Sequence, residues 1–422
     1  MTERSSALSS QAVLFRNASL VDGSSPQPRT GVHVLIEGDR IAQVSDAPIE
    51  APQDARVIDL EGRTLMPGLI DCHVHVIATT ADLGANALLP DALVAARATP
   101  IMEGMLMRGF TTVRDVGGAD RGIQQAVAEG LFVGPRLVIC GKALSQTGGH
   151  NDYRGFYDER DDQYQTRRLG SMGRICDGVE SVRRAVRQEI KAGAQFIKVM
   201  ANGGVSSPSD PIDFLSFSVD ELRTIVEEAS NAQTYVSAHL YTDEAIRRAV
   251  EAGVRSLEHC NLIEADTARL AAERGAMACP TLVTYERLKI EGADYGLKPE
   301  SVAKIDDVRL AGLESLVTMR EAGLEMAYGT DLLGEMHPHQ SEEFVIRSQV
   351  LPPHEVIRSA TSTAAKLLRM EGEIGCVAPG AWADLIVVDG NPLEDMSLLT
   401  GQGQHLSLIM QGGRAVKDRL NR

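Results

Sequence analysis

The sequence predicts an α/β fold: a (β/α)8 TIM barrel carrying a small β-sandwich built from both termini. Three observations carry this reading. Eight short apolar runs recur along the middle of the chain, at 69–75, 110–115, 136–141, 195–200, 234–239, 254–259, 277–283 and 325–330. Helical patterns separate them, and several close on a glycine just before the next run, at Gly130, Gly193, Gly253, Gly275 and Gly323. Glycine fits the left-handed position that ends a helix. Both ends of the chain, by contrast, are rich in short alternating strands and turns. Strands alternating with helices imply a parallel sheet, and eight such units within about 300 residues suit a closed barrel. No glycine-rich dinucleotide fingerprint follows the first run, which weighs against an open Rossmann sheet.

Taken in order, residues 11–62 read as short strands in AVLFRNASLVDG, GVHVLIEGDRIAQVSD and ARVIDLEGRTL, with Val32, Val34 and Ile36 alternating. Residues 377–418 mirror them, with Gly380, the strand Asp384-Leu385-Ile386-Val387-Val388 and a final LSLIMQGGRAV. The expected division is a composite β-sandwich from 1–66 and 371–422, with the barrel from 67–370 inserted between. Within the barrel, Ser218-Val219-Asp220-Glu221 has the pattern of a capping box, and Thr242-Asp243-Glu244 reads as a second helix start. Two connections, 142–178 and 284–300, are too long to be turns and read as functional lids or as inert insertions.

At 422 residues with a net charge of −16, the chain is poorly suited to nucleic acid or an anionic membrane. An anionic small substrate stays open, because bound metal ions can reverse a local field. Six scattered cysteines without a CxxC point to reduced thiols. The N-terminus lacks the apolar core of a signal peptide, and no 18-residue apolar run occurs. The expected location is cytoplasmic, with a leader removed from a precursor left open.

The candidate chemistry begins at TLMPGLIDCHVHV, where His73 and His75 share one face of an extended strand. Two imidazoles so arranged can grip one divalent ion. Further along, Lys198 lies in the fourth run, His239 ends the fifth, His259 ends the sixth and Asp331 follows the eighth. Each has an ordinary alternative. A lone histidine is more often a core or surface residue, Lys198 can snorkel, and Asp331 can cap the helix that follows. The recurrence at the same point of successive units sets them apart, because catalytic groups of a barrel converge from strand C-termini.

This pattern resembles the amidohydrolase superfamily over nearly the whole chain, down to a tail reading ATSTAAKLLRMEGEIGCVAPGAWADLIVVDGNP. The resemblance implies a binuclear site in which Lys198 is carbamylated by CO2 and bridges two divalent metal ions. His73, His75 and Asp331 would hold one ion, and His239 and His259 the other. Imidazole with carboxylate oxygen suits zinc. A lysine attacks CO2 only as a neutral amine, which an apolar strand favours. Two ions about 3.5–4 Å apart acidify a water between them.

Closer resemblance is to the branch of imidazolonepropionase-like enzymes and Xaa-Pro and Xaa-Arg dipeptidases. It rests on SQTGGH (145–150), IKVMANGGVSSPSD (197–210), AHLYTDEAI (238–246) and ADLIVVDGNPLED. It implies that His150 stabilises the tetrahedral intermediate and that Tyr241 binds a substrate α-carboxylate, with an arginine of the 154–168 loop as a second anchor. Asp331 would act as general base and then acid. The stretch LLGEMHPHQ after Asp331 is similar to that of ochratoxin-hydrolysing members, which also cut an amide beside a free carboxylate. The expected substrate is a small amide with a carboxylate: an N-acyl amino acid, a dipeptide or ochratoxin A. The branch also implies a homo-oligomer. The competing readings are a mononuclear cyclic amidase or deaminase, a phenylurea-type arylamide hydrolase, and a barrel without activity. The full ligand set opposes the last.

Overall fold

The computed structural model describes residues 11–420 apart from 156, 162–163, 165, 206–209 and 298. Residues 206–209 belong to the IKVMANGGVSSPSD stretch and so lie outside the described residues. The chain forms two compact units. One takes in the described residues through Ile70, Leu106–Thr111 and those from Pro352 onward; the other is Asp71–Met105 with Thr112–Leu351.

The first unit is built on a sheet drawn from both ends of the sequence. From one edge its strands are Arg414–Asp418, Leu406–Gln411, Leu385–Val388, Thr64–Pro67, Val13–Leu20, Arg29–Glu37 and Arg40–Ser45, with Arg56–Asp59 beside Val13–Leu20. The chain ends meet where Leu385 pairs with Pro67 and Val388 with Thr64, antiparallel. The sheet folds over on itself, since Ile41 N–H donates to the Ala381 carbonyl at 2.9 Å and Arg40 bridges to Trp382. Phe15, Val34, Ile36, Leu385 and Leu408 thereby share one apolar core. Burying each such side chain is worth about 1.5–3 kcal/mol, so alternating residues from both termini make a β-sandwich.

The second unit holds the barrel but for Leu69, Ile70, Phe110 and Thr111, which fall in the first. Leu69–Val74, Phe110–Asp115 and Arg136–Ile139 form one run of neighbours. Ile197–Met200, Val236–Thr242, Ser256–Leu262 and Met277–Cys279 form another, all parallel, with the short extra strand Ala143–Ser145 beside Ile197–Met200. Gln195 N–H donating to the Ile139 carbonyl joins the two runs at 2.8 Å. The eighth strand, about 325–330, is irregular. Ala278 bridges to Met326, and Cys72 N–H donates to the Tyr328 carbonyl at 2.8 Å, which closes the ring onto the first strand.

The five glycines expected to end helices all have positive φ, from 70° at Gly275 to 105° at Gly193. The Ser218–Glu221 capping box forms with both of its hydrogen bonds. Thr242 precedes its helix without a side-chain cap. The expected loop 284–300 is a correction: most of it is helix, with Leu282–Glu291 continuing directly from the seventh strand and Pro299 opening the next helix. Pro280 lacks the N–H a ladder needs, so the seventh strand stops at Cys279, short of the expected 283. Leu282, Tyr285 and Leu288 then bury one helical face. Among the described residues no helix is long and apolar enough to cross a membrane.

Candidate active site

The sequence-predicted residues come together inside the second unit, in a contiguous row of rings. His75 lies 5.4 Å from His73, His73 4.8 Å from His259, and His259 4.7 Å from His239, between ring centroids. His239 in turn stacks on His150 at 4.3 Å and meets Tyr241 edge-on at 4.7 Å. Asp331 completes one end. Its Oδ1 lies 3.3 Å from His73 Nε2 and 3.1 Å from His75 Nε2. Lys198, 1% exposed, feels the charges of Glu258, Asp331 and Arg114.

Each histidine is held by one nitrogen and offers the other. His73 Nδ1 donates to Glu258 at 2.8 Å, and His75 Nδ1 to the Gly117 carbonyl at 3.1 Å. His239 reverses the choice, its Nε2 donating to the Gly203 carbonyl at 3.2 Å. His259 Nδ1 lies 2.7 Å from Thr281 Oγ1. Three of these partners are a carboxylate or carbonyls, which only accept, so the opposite ring nitrogen is left bare. Two bare nitrogens facing one carboxylate oxygen repel it unless a shared proton or a cation lies among them. His73, His75 and Asp331 therefore have the donor set and convergence of a metal site, their ligand atoms all lying within 4.8 Å.

The electrostatics agree at His239, His259 and Lys198, whereas at His75 burial is outweighed by the hydrogen bond and charge of Asp331, which raise the imidazole. Burial, with His150 and His259 adding, holds His239 well below the usual imidazole range, and burial with His73 does the same to His259. Neutral imidazoles are what a metal needs. Burial lowers Lys198 too, keeping its amine toward the neutral form. Burial pushes the Asp331 carboxyl up, but the charge and hydrogen bonds of His73, and that of His75, outweigh it and hold it well below the carboxylate range.

Two backbone features build this cluster. Neighbouring residues of a regular strand face opposite sides, yet both Glu258 and His259 point inward. His259 (φ 69°) and Cys260 (φ 58°) adopt left-handed backbone there, and Asp331 does so at 54°. Strain of this kind costs about 1–3 kcal/mol per residue and gathers at functional sites. The last residues of Val236–Thr242 are held by Asn202, whose Oδ1 accepts from the N–H groups of Tyr241 (2.7 Å) and Thr242 (3.0 Å).

A supporting layer is not singled out by the sequence pattern. Both Glu258 oxygens accept from Arg114 Nη2, at 2.8 and 2.9 Å, and Oε1 also accepts from Ser237 at 2.7 Å. With His73 and Ser256 its oxygens are filled, so it orients His73 instead of binding an ion. Cys279 lies near the same pair, but burial raises its thiol well above the usual range. Asp71 accepts from Thr330 Oγ1 at 2.6 Å and Gln340 Nε2 at 2.9 Å. Asp210, nearly fully buried, lies 3.4 Å from His150 Nδ1. The only available signal was a charged residue inside an otherwise apolar strand, as in FTTVRD and SLEHC.

Tyr241 is buried and its hydroxyl is 3.0 Å from that of Tyr285. Of the loop arginines expected beside a substrate, Arg154, Arg160 and Arg168 are engaged locally. Arg154 binds Asp152, Arg160 binds Asp158, and Arg168 donates to the Leu88 and Leu89 carbonyls.

Comparison with known proteins gives the family. Residues 64–415 match the family model described as the amidohydrolase family. A crystal structure of an amidohydrolase is 52% identical, with a TM-score of 0.94 over 97% of this chain and 99% of that one. A prolidase complexed with N-methylphosphonate-L-proline is 50% identical, with a TM-score of 0.95 over 97% and 100% of the two chains. Ochratoxinase from Aspergillus niger is 33% identical over 365 residues, 84% of this chain and 75% of that protein. Barrel, inward histidines and sequence likeness thus lead to one assignment: the chain belongs to the amidohydrolase family and is a hydrolase of amide bonds.

Proposed function

We propose that this enzyme cleaves an amide bond next to a free carboxylate, using two divalent metal ions, most simply zinc. The observation that carries the metal half is the set of histidines, each tied by one ring nitrogen and offering the other. His73, His75 and Asp331 would hold one ion and His239 and His259 the other. Lys198 would join them as a carbamate, its neutral amine adding to CO2 with loss of one proton. When bound, the ions supply an acidified water and polarise the substrate carbonyl.

The chain's own groups do the rest. Asp331 takes the proton of the attacking water and returns it to the leaving nitrogen. His150, stacked against His239, donates to the carbonyl oxygen as negative charge builds on it. Tyr241 donates its phenol hydrogen to the substrate carboxylate. The substrate half is supported by relatives: one is a prolidase with a phosphonate of L-proline bound, another is named ochratoxinase.

The test is a screen of metal-loaded enzyme against Xaa-Pro and Xaa-Arg dipeptides, N-acyl amino acids and ochratoxin A, paired with elemental analysis. Two metals per chain and turnover confined to substrates with a free carboxylate are expected. One metal per chain, or equal turnover of carboxamide substrates, would overturn the corresponding half.

A further inference from the structure

His73 and His75 leave one strand side by side, yet they are steadied by different means. His73 leans on a side chain, Glu258, whereas His75 leans on a backbone carbonyl, that of Gly117. A carbonyl is only as fixed as the chain that carries it. Gly117 lies just past the strand Phe110–Asp115, and the residue that ends this strand holds it. Asp115 is 0% exposed. Its Oδ1 accepts from the N–H groups of Gly117 and Ala119, each at 3.1 Å. Its Oδ2 accepts from the N–H of Val76, the residue directly after His75, at 2.8 Å.

One carboxylate thus grips both the chain that bears His75 and the chain that bears its carbonyl partner. The second of these is pinned again at Gly118, whose N–H donates to the Gly141 carbonyl at 2.8 Å. Three N–H donors converge on the two oxygens of Asp115, and only a carboxylate accepts on both. An amide of the same shape would set its NH2 against at least one of those N–H groups. Finishing a turn accounts for the bonds to Gly117 and Ala119. It does not account for the bond to Val76, which crosses 39 residues of sequence to the first strand.

We infer that Asp115 is a positioning residue that clamps His75 to the Gly117 carbonyl and so tightens metal binding through His75. This rests on the reading of His75 as a metal-holding residue and deepens it. The two imidazoles gain independent supports, one a carboxylate touching the ring and the other a carboxylate acting through the backbone. A side chain that only finishes a turn would act alike whether or not His75 is present.

The experiment is a double-variant cycle read as zinc affinity, with a chromophoric chelator competing for the metal. It compares the wild type, Asp115→Asn, His75→Ala and the variant carrying both. Outer partners of a metal-holding histidine are worth about 10–100-fold in affinity, so Asp115→Asn is expected to weaken zinc binding by about that factor. In the His75→Ala background the same change should cost less than about twofold, because changes that remove one shared interaction do not add. Equal losses in both backgrounds would overturn the inference and leave Asp115 a turn residue. Unchanged affinity in Asp115→Asn, in a protein that loses affinity on His75→Ala, would overturn it while the metal reading stands. If His75→Ala binds zinc as the wild type does, the reading of His75 fails and the inference with it. Should Asp115→Asn not fold, Gly117→Ala takes its place in the cycle under the same outcomes. Its added Cβ would stand 3.2 Å from the Met172 carbonyl oxygen and 3.4 Å from His75 Cε1, pressing the same carbonyl aside.

Discussion

Lys198 and Asp331 are the two residues at which the proposed chemistry is most exposed to test. Lys198 is a buried lysine whose amine burial biases toward neutrality. Lys198→Ala is expected to lose metal and nearly all activity, with partial recovery in added short carboxylic acids that replace the carbamate. A variant that keeps both metals and full turnover would remove Lys198 from the site. Asp331→Asn keeps shape but cannot carry a proton, so its rate should fall about 10²–10⁴-fold, the range for an acid–base group. Near-normal turnover with metal retained would exclude Asp331 from proton transfer. At this scale the candidate residues were legible because they recur in chain order, on or just after successive strands. Arg114 and Glu258 were not. Their contact spans 144 residues of sequence, and a charged residue in an apolar strand does not name its partner.

At the scale of elements, turns and helix ends carry the argument. Gly204 lies in the stretch after the fourth strand, and a Cβ built there would fall 1.9 Å from Cε1 of the His150 ring. Gly204→Ala is therefore expected to displace His150, cutting turnover at least about tenfold while the thermal midpoint changes little. Unchanged kinetics would show that His150 contributes little to the rate. Helix Glu342–Arg347 makes a separate prediction. Burial raises the Glu343 carboxyl from 4.5 to about 7, against the pull of Arg347. Between those values the folded chain holds a proton that the unfolded chain releases. The resulting stability is complete below about pH 4.5 and disappears as pH rises through about 7, amounting to about 3 kcal/mol at most. Urea midpoints at pH 5 and pH 8 should differ more in the wild type than in Glu343→Gln; equal differences would refute the linkage. The regular helices were legible from glycines and caps. The helix over 282–291 was not, because its apolar face follows a proline that reads as the start of a loop. The eighth strand was legible as an apolar run, but its irregular pairing follows from barrel closure, which local sequence does not encode.

For the whole molecule, the proposed metal binding would be linked to stability. An ion that binds only the folded chain adds about 2.7 kcal/mol at a hundred times its dissociation constant. Chelation should therefore lower the thermal midpoint, and added zinc should restore it. A midpoint indifferent to both would mean that the histidine cluster holds no ion in the folded protein. Asp71 and Thr330, hydrogen-bonded at the seam between first and last strands, are 259 residues apart in sequence. His73 and His75 therefore emerge from the ribosome long before Asp331. Through most of synthesis the nascent chain owns only two of those three groups. Filling that set and sealing the ring become one event, completed when the last strand docks. The centre thus records that translation has passed the eighth strand: a chain cut short before residue 331 has neither the ring nor the full set of three groups.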